Sequence, residues 1–249
     1  MQKITLYLLL LLFYFSCSPD KTQVKDIPAK SKIAFDYSKF QLKSGDILFQ
    51  DSDCGPFCES IEKVTFGVGG SKLSHVGLVI PKGENQLQVI EAITAGVVVT
   101  PLDSFFMRSF DESNNSKVVV GRLKQEHQYL IPKAIDFAKT KLGLPYDDVF
   151  DISNHKYYCS ELLYESFNYA NDHQPIFKLQ KMTYKDPDTK ATFPIWEKYF
   201  QDLNVPIPEG EPGLNPGGMS TSGFIDIVHF YGKPEGYEEF DVSHFLLTR

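Results

Sequence analysis

The chain has 249 residues, 42% of them hydrophobic, and a net charge of −7 at pH 7, which is typical of a soluble globular protein with one large domain or two small ones. The acidic balance argues against nucleic acid as a partner, because there is no basic surplus to meet phosphates. The 20 Phe and 13 Tyr favour a mixed or β-rich core and a cleft lined with rings.

The first segment, residues 1–17, has the form of a secretory signal peptide. Lys3 gives it a positive start, and the apolar run over residues 6–15 is too short for a comfortable membrane span. Ser16, a small residue, directly precedes Cys17. This ending resembles a bacterial lipoprotein signal, in which Cys17 is lipidated and becomes the mature N-terminus. The alternative is an ordinary cleaved signal with an incidental cysteine.

The next segment, residues 18–38, is polar and rich in Lys and Asp, which predicts a flexible tether. The folded domain is expected over residues 39–249. A lipid anchor would place this domain outside the cytoplasm, at the cell envelope. Ser18 stands where some bacteria place the aspartate that retains a lipoprotein in the inner membrane, so the outer membrane is favoured.

The first half of the domain predicts an antiparallel meander of short strands. Its clearest part is a hairpin of residues 74–80 and 87–93, joined by a turn over residues 81–85. The glycine-rich stretch at 67–71 lacks the lysine and spacing of a phosphate loop. A short strand is predicted after a turn at Ser44 and Gly45, running to Gln50. Further strands are predicted at 96–100 and 118–120, and short helices at 59–66 and 102–108.

The second half changes from strands to helices. Residues 129–142 have helical periodicity, Pro132 suits the first turn, and Gly143 ends the helix. An acidic loop over residues 147–156 leads to a second helix that begins at Cys159. Later elements are predicted as sheet-pairing segments at 178–183 and 223–230, a short helix at 196–200 and a long Pro/Gly loop at 206–218.

Cys159 is the candidate nucleophile. It opens an amphipathic helix whose apolar face carries Leu162, Leu163 and Phe167. Unpaired N–H groups and the helix dipole at this position favour the thiolate, which is the reactive form. A buried structural thiol is the commoner role of a free cysteine, so the assignment depends on a histidine nearby.

The hairpin supplies that histidine and a carboxylate. Folding it about Gly83 predicts His75 directly opposite Glu91, with Cβ atoms about 4.5–5.5 Å apart on one sheet face. A slip of one residue would put Ala92 opposite and turn Glu91 away. In the predicted register the carboxylate fixes the imidazole tautomer, and the cysteine helix packs against the same face. Each residue alone also has an ordinary structural explanation, but together they predict a Cys-His-Glu triad.

The remaining cysteines, Cys54 and Cys58, do not have the spacing of a paired metal-binding module. They either form a disulfide in an oxidising compartment or remain spare thiols. A bond closing so tight a loop requires a sharp turn of the chain. Neither a metal nor a cofactor is predicted.

Several short motifs occur in an order that resembles the YiiX/YaeF-like permuted papain-fold amidases, relatives of the NlpC/P60 enzymes. The resemblance covers roughly residues 40–230 and includes the Pro-rich segment that begins at Pro206. The motifs are LKSGDILF from Leu42, SHVGLV from Ser74, VIEA from Val89, GLPYD from Gly143 and YCSEL from Tyr158.

The resemblance implies an α+β, circularly permuted papain-like fold, with an antiparallel sheet packed against the helix that carries the nucleophile. In such a fold Cys159 would be the nucleophile, His75 the general base and acid, and Glu91 the residue that orients His75. The candidates for substrate contacts around the cleft are Tyr146, Tyr158 and Glu161.

The implied reaction is acyl transfer to the Cys159 thiol, followed by hydrolysis. Together with the lipoprotein signal it predicts an amidase or peptidase acting on a small peptide or a cell-wall peptide. A thioester-forming acyltransferase or lipid hydrolase is the first alternative, favoured by a wide apolar cleft lined by Phe105, Phe106 and Met107. A non-catalytic peptide-binding lipoprotein is the second.

Overall fold

The structure, a computed structural model, describes Asp36, Ser38 and residues 40–238. The predicted signal peptide, the lipidation site at Cys17 and nearly all of the predicted tether therefore lie outside the described residues. Within the described part, no helix combines the length and the apolar composition that a membrane span requires.

A six-stranded antiparallel sheet forms the centre of the domain, in the order β4-β3-β2-β1-β5-β8. The predicted pairing of the 223–230 segment with this sheet is confirmed, whereas that of the 178–183 segment is wrong. That segment instead forms a separate two-stranded ladder, β6 with β7, because its strand residues are exposed and polar. The strands are β1 (Ile47–Gln50), β2 (His75–Pro81), β3 (Leu87–Ile93), β4 (Gly96–Pro101), β5 (Val118–Leu123), β6 (Gln180–Lys181), β7 (Pro212–Gly213) and β8 (Ile225–Phe230).

Helices flank the sheet and the ladder. The described helices are α1 (Pro56–Val64), α2 (Leu102–Phe106), α3 (Ile131–Thr140), α4 (Cys159–Ala170), α5 (Pro194–Asp202) and α6 (Pro216–Ser220). The predicted helix over 129–142 is thus shorter, since a 3₁₀ turn over Gln125–Leu130 precedes it. The predicted long loop over 206–218 also contains β7 and the start of α6.

The two faces of the sheet carry separate apolar clusters, because successive strand side chains point to opposite sides. On the first face, Val76, Leu78 and Ile90 pack with the apolar side of α4. On the second face, Val79 and Val89 pack with the two phenylalanines of α2. Helices therefore cover both faces, which explains why strands such as Val118-Val119-Val120 are apolar at successive positions.

The register of the central hairpin differs from the predicted one. Leu78 pairs with Ile90, and this alignment continues to Gly77 opposite Glu91. The turn lies one residue further along the chain than predicted, since Pro81 pairs with Leu87 and Lys82 N donates to Gln86 O at 2.8 Å. The prediction that His75 lies directly opposite Glu91 is therefore wrong by two residues. A shift of two keeps both side chains on the same face, where Glu91 reaches His75 along the diagonal.

Candidate active site

His75 and Glu91 are joined by a hydrogen bond at one end of the sheet. His75 opens β2, and its Nε2 lies 2.6 Å from Oε2 of Glu91 on β3. Gly77 stands between them in the register. A Cβ at that position would lie 3.1 Å from the Phe105 ring and 3.5 Å from the Glu91 Cβ. The absent side chain thus leaves space for the diagonal contact.

The Glu91 carboxylate is fully buried, and each of its oxygens accepts two hydrogen bonds. Oε2 accepts from His75 and from Arg108 Nη1 at 2.7 Å, and Oε1 accepts from Arg108 Nη2 at 2.5 Å and from the Thr100 hydroxyl. Burial raises the pKa of Glu91, but the hydrogen bonds and charges of Arg108 and His75 outweigh it and bring the pKa to about 2. The carboxylate is therefore ionised and only accepts, which assigns the His75 Nε2 proton to this bond.

Cys159 is the first residue of α4 and the one free cysteine among the described residues. Its thiol lines the same cleft as the His75 ring; because Glu91 occupies Nε2, Nδ1 is the ring nitrogen free to face the sulfur. Burial raises the pKa of Cys159, but the hydrogen bond and charge of His75, with further hydrogen bonds from Ser160, lower it overall. The Ser160 hydroxyl lies 3.7 Å from the sulfur.

The pKa of His75 shifts in the opposite direction. Burial lowers it, but the hydrogen bonds and charges of Cys159 and Glu91 raise it to about 9. A lowered thiol pKa beside a raised imidazole pKa favours the thiolate–imidazolium pair near neutral pH. The structure thus brings all three predicted triad residues together: His75 is hydrogen-bonded to Glu91, and it lines the same cleft as Cys159.

The thiol and the carboxylate approach His75 from opposite sides of the sheet. The helix that starts at Cys159 packs on the first face, through Val76 and Leu78, whereas Glu91 belongs to the second face. The prediction that this helix packs on the face of Glu91 is therefore wrong. The contact is possible because His75 lies at the end of its strand, where its ring is reached from both faces.

A cleft of about 730 Å³ opens at the thiol and imidazole. One side of it is an aromatic wall, in which Phe57 and Tyr184 lie 4.6 and 5.1 Å from the Trp196 ring. The predicted lining by Phe105, Phe106 and Met107 is wrong, since both phenylalanines are buried behind the second face. The aromatic wall consists of Phe57, Phe150, Tyr184, Trp196 and Tyr199.

The three predicted substrate contacts lie in different surroundings. Tyr146 and Tyr158 line the cleft, and the Tyr158 hydroxyl accepts a hydrogen bond from Leu214 N at 3.1 Å. Burial and the nearby charge of Cys159 raise the pKa of Tyr146 well above its usual value, so its phenol remains a donor.

Glu161 does not reach the cleft, because its side chain is buried within the first turn of α4. Its Oε2 accepts from Tyr158 N at 3.2 Å, and burial raises its pKa to about 9. Glu161 therefore stabilises the start of the nucleophile helix instead of contacting substrate.

Cys54 and Cys58 are joined by a disulfide, with their Cα atoms 5.3 Å apart. Gly55, at φ 69°, allows the sharp turn between them, which a side chain would disfavour. Both cysteines line the cleft. The bond thus fixes the first turn of α1, which carries Phe57 of the aromatic wall.

Arg108 and Thr100 are the two site residues that the sequence reasoning missed. Arginine is rare in this chain, which has three, at positions 108, 122 and 249. Both described arginines hold a buried carboxylate, since Arg122 binds Asp46. The rarity of arginine in the chain was therefore the one feature of the sequence that pointed to a special role for Arg108.

Comparisons with known proteins agree with this architecture. The family described as "permuted papain-like amidase enzyme, YaeF/YiiX, C92 family" matches residues 41–229. An Escherichia coli K12 protein, described as uncharacterized protein YiiX, is 28% identical over 175 residues, which cover 68% of this chain and 78% of that protein. The crystal structure of a metalloprotein YiiX from E. coli O157:H7 has a TM-score of 0.60 and 26% identity, covering 78% of this chain and 99% of that chain. The predicted permuted papain-like fold is confirmed.

The description as a metalloprotein applies to that E. coli protein. Among the described residues of this chain, no group of three or more His, Cys, Asp or Glu side chains is arranged to hold a metal ion. The donor set of a metal site is thus not found in this part of the chain, and no chemical step is assigned to a metal.

Proposed function

The chain belongs to the permuted papain-like amidase family, and on that basis we propose that it hydrolyses an amide bond in a small peptide or a cell-wall peptide. The nucleophile in this proposal is Cys159, the general base and acid is His75, and the orienting residue is Glu91. The observation that carries the proposal is the hydrogen bond between His75 and Glu91 at the edge of an open cleft that Cys159 and His75 both line, where His75 lowers the pKa of the thiol.

The first half of the reaction forms an acyl-enzyme. The Cys159 thiolate attacks the amide carbon, a C–S bond forms and the carbonyl oxygen becomes an oxyanion. The backbone N–H of Cys159, at the unpaired start of α4, stabilises that oxygen, and the phenol of Tyr146 supplies a second donor. His75 then gives its proton to the leaving nitrogen, and the C–N bond breaks.

The second half releases the acid. A water molecule gives a proton to His75 and attacks the thioester carbon. The C–S bond breaks, the carboxylic acid leaves, and the thiolate–imidazolium pair is restored. Throughout both halves Glu91 accepts the hydrogen bond from His75 Nε2–H and stays ionised, since its pKa is far below neutral.

The test combines turnover with detection of the intermediate. A cell-wall stem peptide and a panel of dipeptidyl coumarin amides are incubated with the wild type and with Cys159→Ser, and the covalent acyl-enzyme is sought by intact-mass spectrometry. We expect turnover and an acyl adduct in the wild type, and neither in Cys159→Ser. Ser166→Ala is the matched control, because Ser166 is buried on the same helix and bonds only to Leu162 O. Undiminished turnover in Cys159→Ser would refute the proposal.

A second candidate is a thioester-forming acyltransferase or lipid hydrolase, which the aromatic wall favours. Five rings beside the thiol suit an apolar acyl group better than a polar peptide. A series of p-nitrophenyl acyl esters of increasing chain length separates the two candidates. Labelling of Cys159 that increases with chain length, without labelling by peptide-based probes, selects the second candidate; the reverse pattern selects the amidase.

The proposal also places the protein at the cell envelope, held by a lipid on Cys17. Ser16 and Cys17 follow an apolar leader and precede a polar segment, which is the order that such an anchor requires. Growth with an alkynyl fatty acid should label the wild type and leave Cys17→Ser unlabelled, with the wild-type label in the outer-membrane fraction. Equal labelling of the two proteins would contradict the anchor.

A further inference from the structure

Arg108 borders the triad, although none of its contacts is with the thiol. We infer that Arg108 is a positioning residue that fixes the carboxylate of Glu91 and, through Glu91 and His75, maintains the reactivity of Cys159. The inference rests on the proposed roles of the triad and adds a fourth residue to them.

The first support is the geometry of the contact. Two parallel hydrogen bonds of 2.5 and 2.7 Å join the guanidinium to the two oxygens of Glu91, and such a fork fixes both the position and the plane of a carboxylate. The guanidinium also lies 5.1 Å above the ring of Phe105, which is fully buried. Arg108 is thus itself held in place, while 28% of its side chain remains exposed at the cleft.

The second support is the order of charges. Arg108, Glu91, His75 and Cys159 alternate in sign when the thiol is ionised, so the arginine cancels the carboxylate charge that the thiolate would otherwise face. The cleft also holds the charged side chains of Asp53, Asp148 and Lys181, and the titratable groups that interact with the thiol include Tyr146 and Tyr158. Both are neutral phenols near pH 7, because burial raises their pKa values, and they cannot replace the positive charge.

Loss of Arg108 should raise the pKa of Cys159 whether Glu91 stays ionised or takes up a proton. If Glu91 stays ionised, the thiolate faces an uncompensated buried negative charge. If Glu91 takes up a proton, His75 loses its charged acceptor and becomes a weaker partner for the thiolate. Both outcomes raise the pKa of Cys159 and reduce the thiolate fraction at neutral pH.

The same chain contains a matched control pair. Arg122 binds the buried carboxylate of Asp46 through Nε at 2.7 Å and Nη2 at 2.8 Å, and it lies 5.4 Å above the Phe40 ring. This pair has the same chemistry and a similar aromatic support, but no residue of the triad is among its partners. Its loss therefore reports the structural cost of a broken arginine–carboxylate fork alone.

The test measures alkylation of Cys159 by iodoacetamide as a function of pH, in the full chain under non-reducing conditions. Only the thiolate reacts, so the midpoint of the profile reports the thiol pKa. We expect Arg108→Met to move the midpoint upward by about one pH unit, which is a roughly tenfold loss of rate on the acid side. Arg108→Gln, a polar neutral replacement, should shift it similarly. Arg108→Lys keeps the charge without the fork and should shift it less.

The control decides between positioning and simple destabilisation. Arg122→Met should lower the thermal midpoint of unfolding while leaving the alkylation profile unchanged. The inference is overturned if either neutral Arg108 variant has the wild-type profile, or if Arg122→Met shifts the profile equally. Because alkylation needs no substrate, a shifted profile in a protein that hydrolyses no amide would refute the proposed function and leave the role of Arg108 intact.

Discussion

The two sides of the cleft are built in different ways. On the polar side, His75, Glu91 and Thr100 stand on strands and Arg108 follows α2, and hydrogen bonds fix the charged groups. The aromatic wall comes from α1, α5, the loop before α4 and the segment after β6, and several of its rings contact one another edge to face. The polar groups proposed to act in catalysis thus stand on or next to the sheet, whereas the rings proposed to contact substrate stand on helices and loops outside it.

This difference predicts two kinds of mutational effect. A change on the polar side removes a group that acts in the transition state, so it lowers kcat. A change in the aromatic wall removes contact area that substrate and transition state share, so it raises KM. The four experiments below test this division, from the largest expected effect to the smallest.

Replacement of the base gives the largest expected effect. His75→Ala should lower kcat by about 10³–10⁴-fold with little change in KM, because proton transfer to the leaving nitrogen is lost. Steady-state kinetics on the best amide substrate measures the effect. His127→Ala is the control, since His127 lies on the 3₁₀ turn before α3, against Phe224. A loss of less than tenfold in His75→Ala would remove His75 from the mechanism.

Truncation within the aromatic wall should act on binding and on stability. Trp196→Ala removes a buried ring that contacts Phe57, Phe150 and Tyr184, so we expect KM to rise about tenfold and the free energy of unfolding to fall by about 3–5 kcal/mol. Trp196→Phe should keep both KM and the free energy of unfolding close to the wild-type values. Chemical denaturation and kinetics measured in parallel test the division, and a fall in kcat without a change in KM would contradict it.

The pH profile of the wild type tests the polar side alone. His75 must be protonated to donate to the leaving nitrogen, and its pKa is raised to about 9. The value of kcat/KM should therefore fall about tenfold per pH unit above pH 9. The midpoint of the acid limb of this profile should lie below the usual pKa of a cysteine, because His75 lowers the pKa of Cys159. A basic limb near pH 6.5 would mean that the imidazole keeps its ordinary pKa.

Opening the disulfide should have the smallest effect. The bond closes a loop of five residues, for which chain-entropy arguments give about 2 kcal/mol of stabilisation. The double variant Cys54→Ser, Cys58→Ser should unfold at a lower denaturant concentration and raise KM slightly through Phe57, with kcat unchanged. A large loss of kcat would mean that α1 supports the catalytic side as well as the aromatic wall.

Local patterns predicted most of the elements and placed Cys159 at the start of a helix, while tertiary contacts decided the remainder. β3 has the predicted bounds, because an apolar run lies between turn residues, and the helix at Cys159 begins where its apolar periodicity indicated. The register of His75 and Glu91 was displaced because the turn spans residues 82–86, with Asn85 at φ 60°, and is therefore centred one residue after Gly83. Arg108 was missed because its contact with Glu91 depends on how α2 packs against the sheet.

No local pattern in the sequence predicted the aromatic wall either. Its rings come from α1, from the loop before α4, from the segment after β6 and from α5. Each ring taken alone in the sequence is an ordinary core candidate. The apolar cleft was anticipated, but its residues were wrongly assigned to Phe105 and Phe106, whose adjacent positions gave the more obvious local signal.

The positions of the cysteines have a consequence for oxidative maturation. Cys54 and Cys58 are four residues apart, whereas Cys159 follows about a hundred residues later, so mispairing with Cys159 must close a loop that costs about 2–3 kcal/mol more in chain entropy. Cys159 also acquires its lowered pKa only when α4 meets His75. While the chain is still assembling, Cys159 is an ordinary and less reactive thiol. We therefore expect the disulfide between Cys54 and Cys58 to form before Cys159 acquires its reactive thiolate.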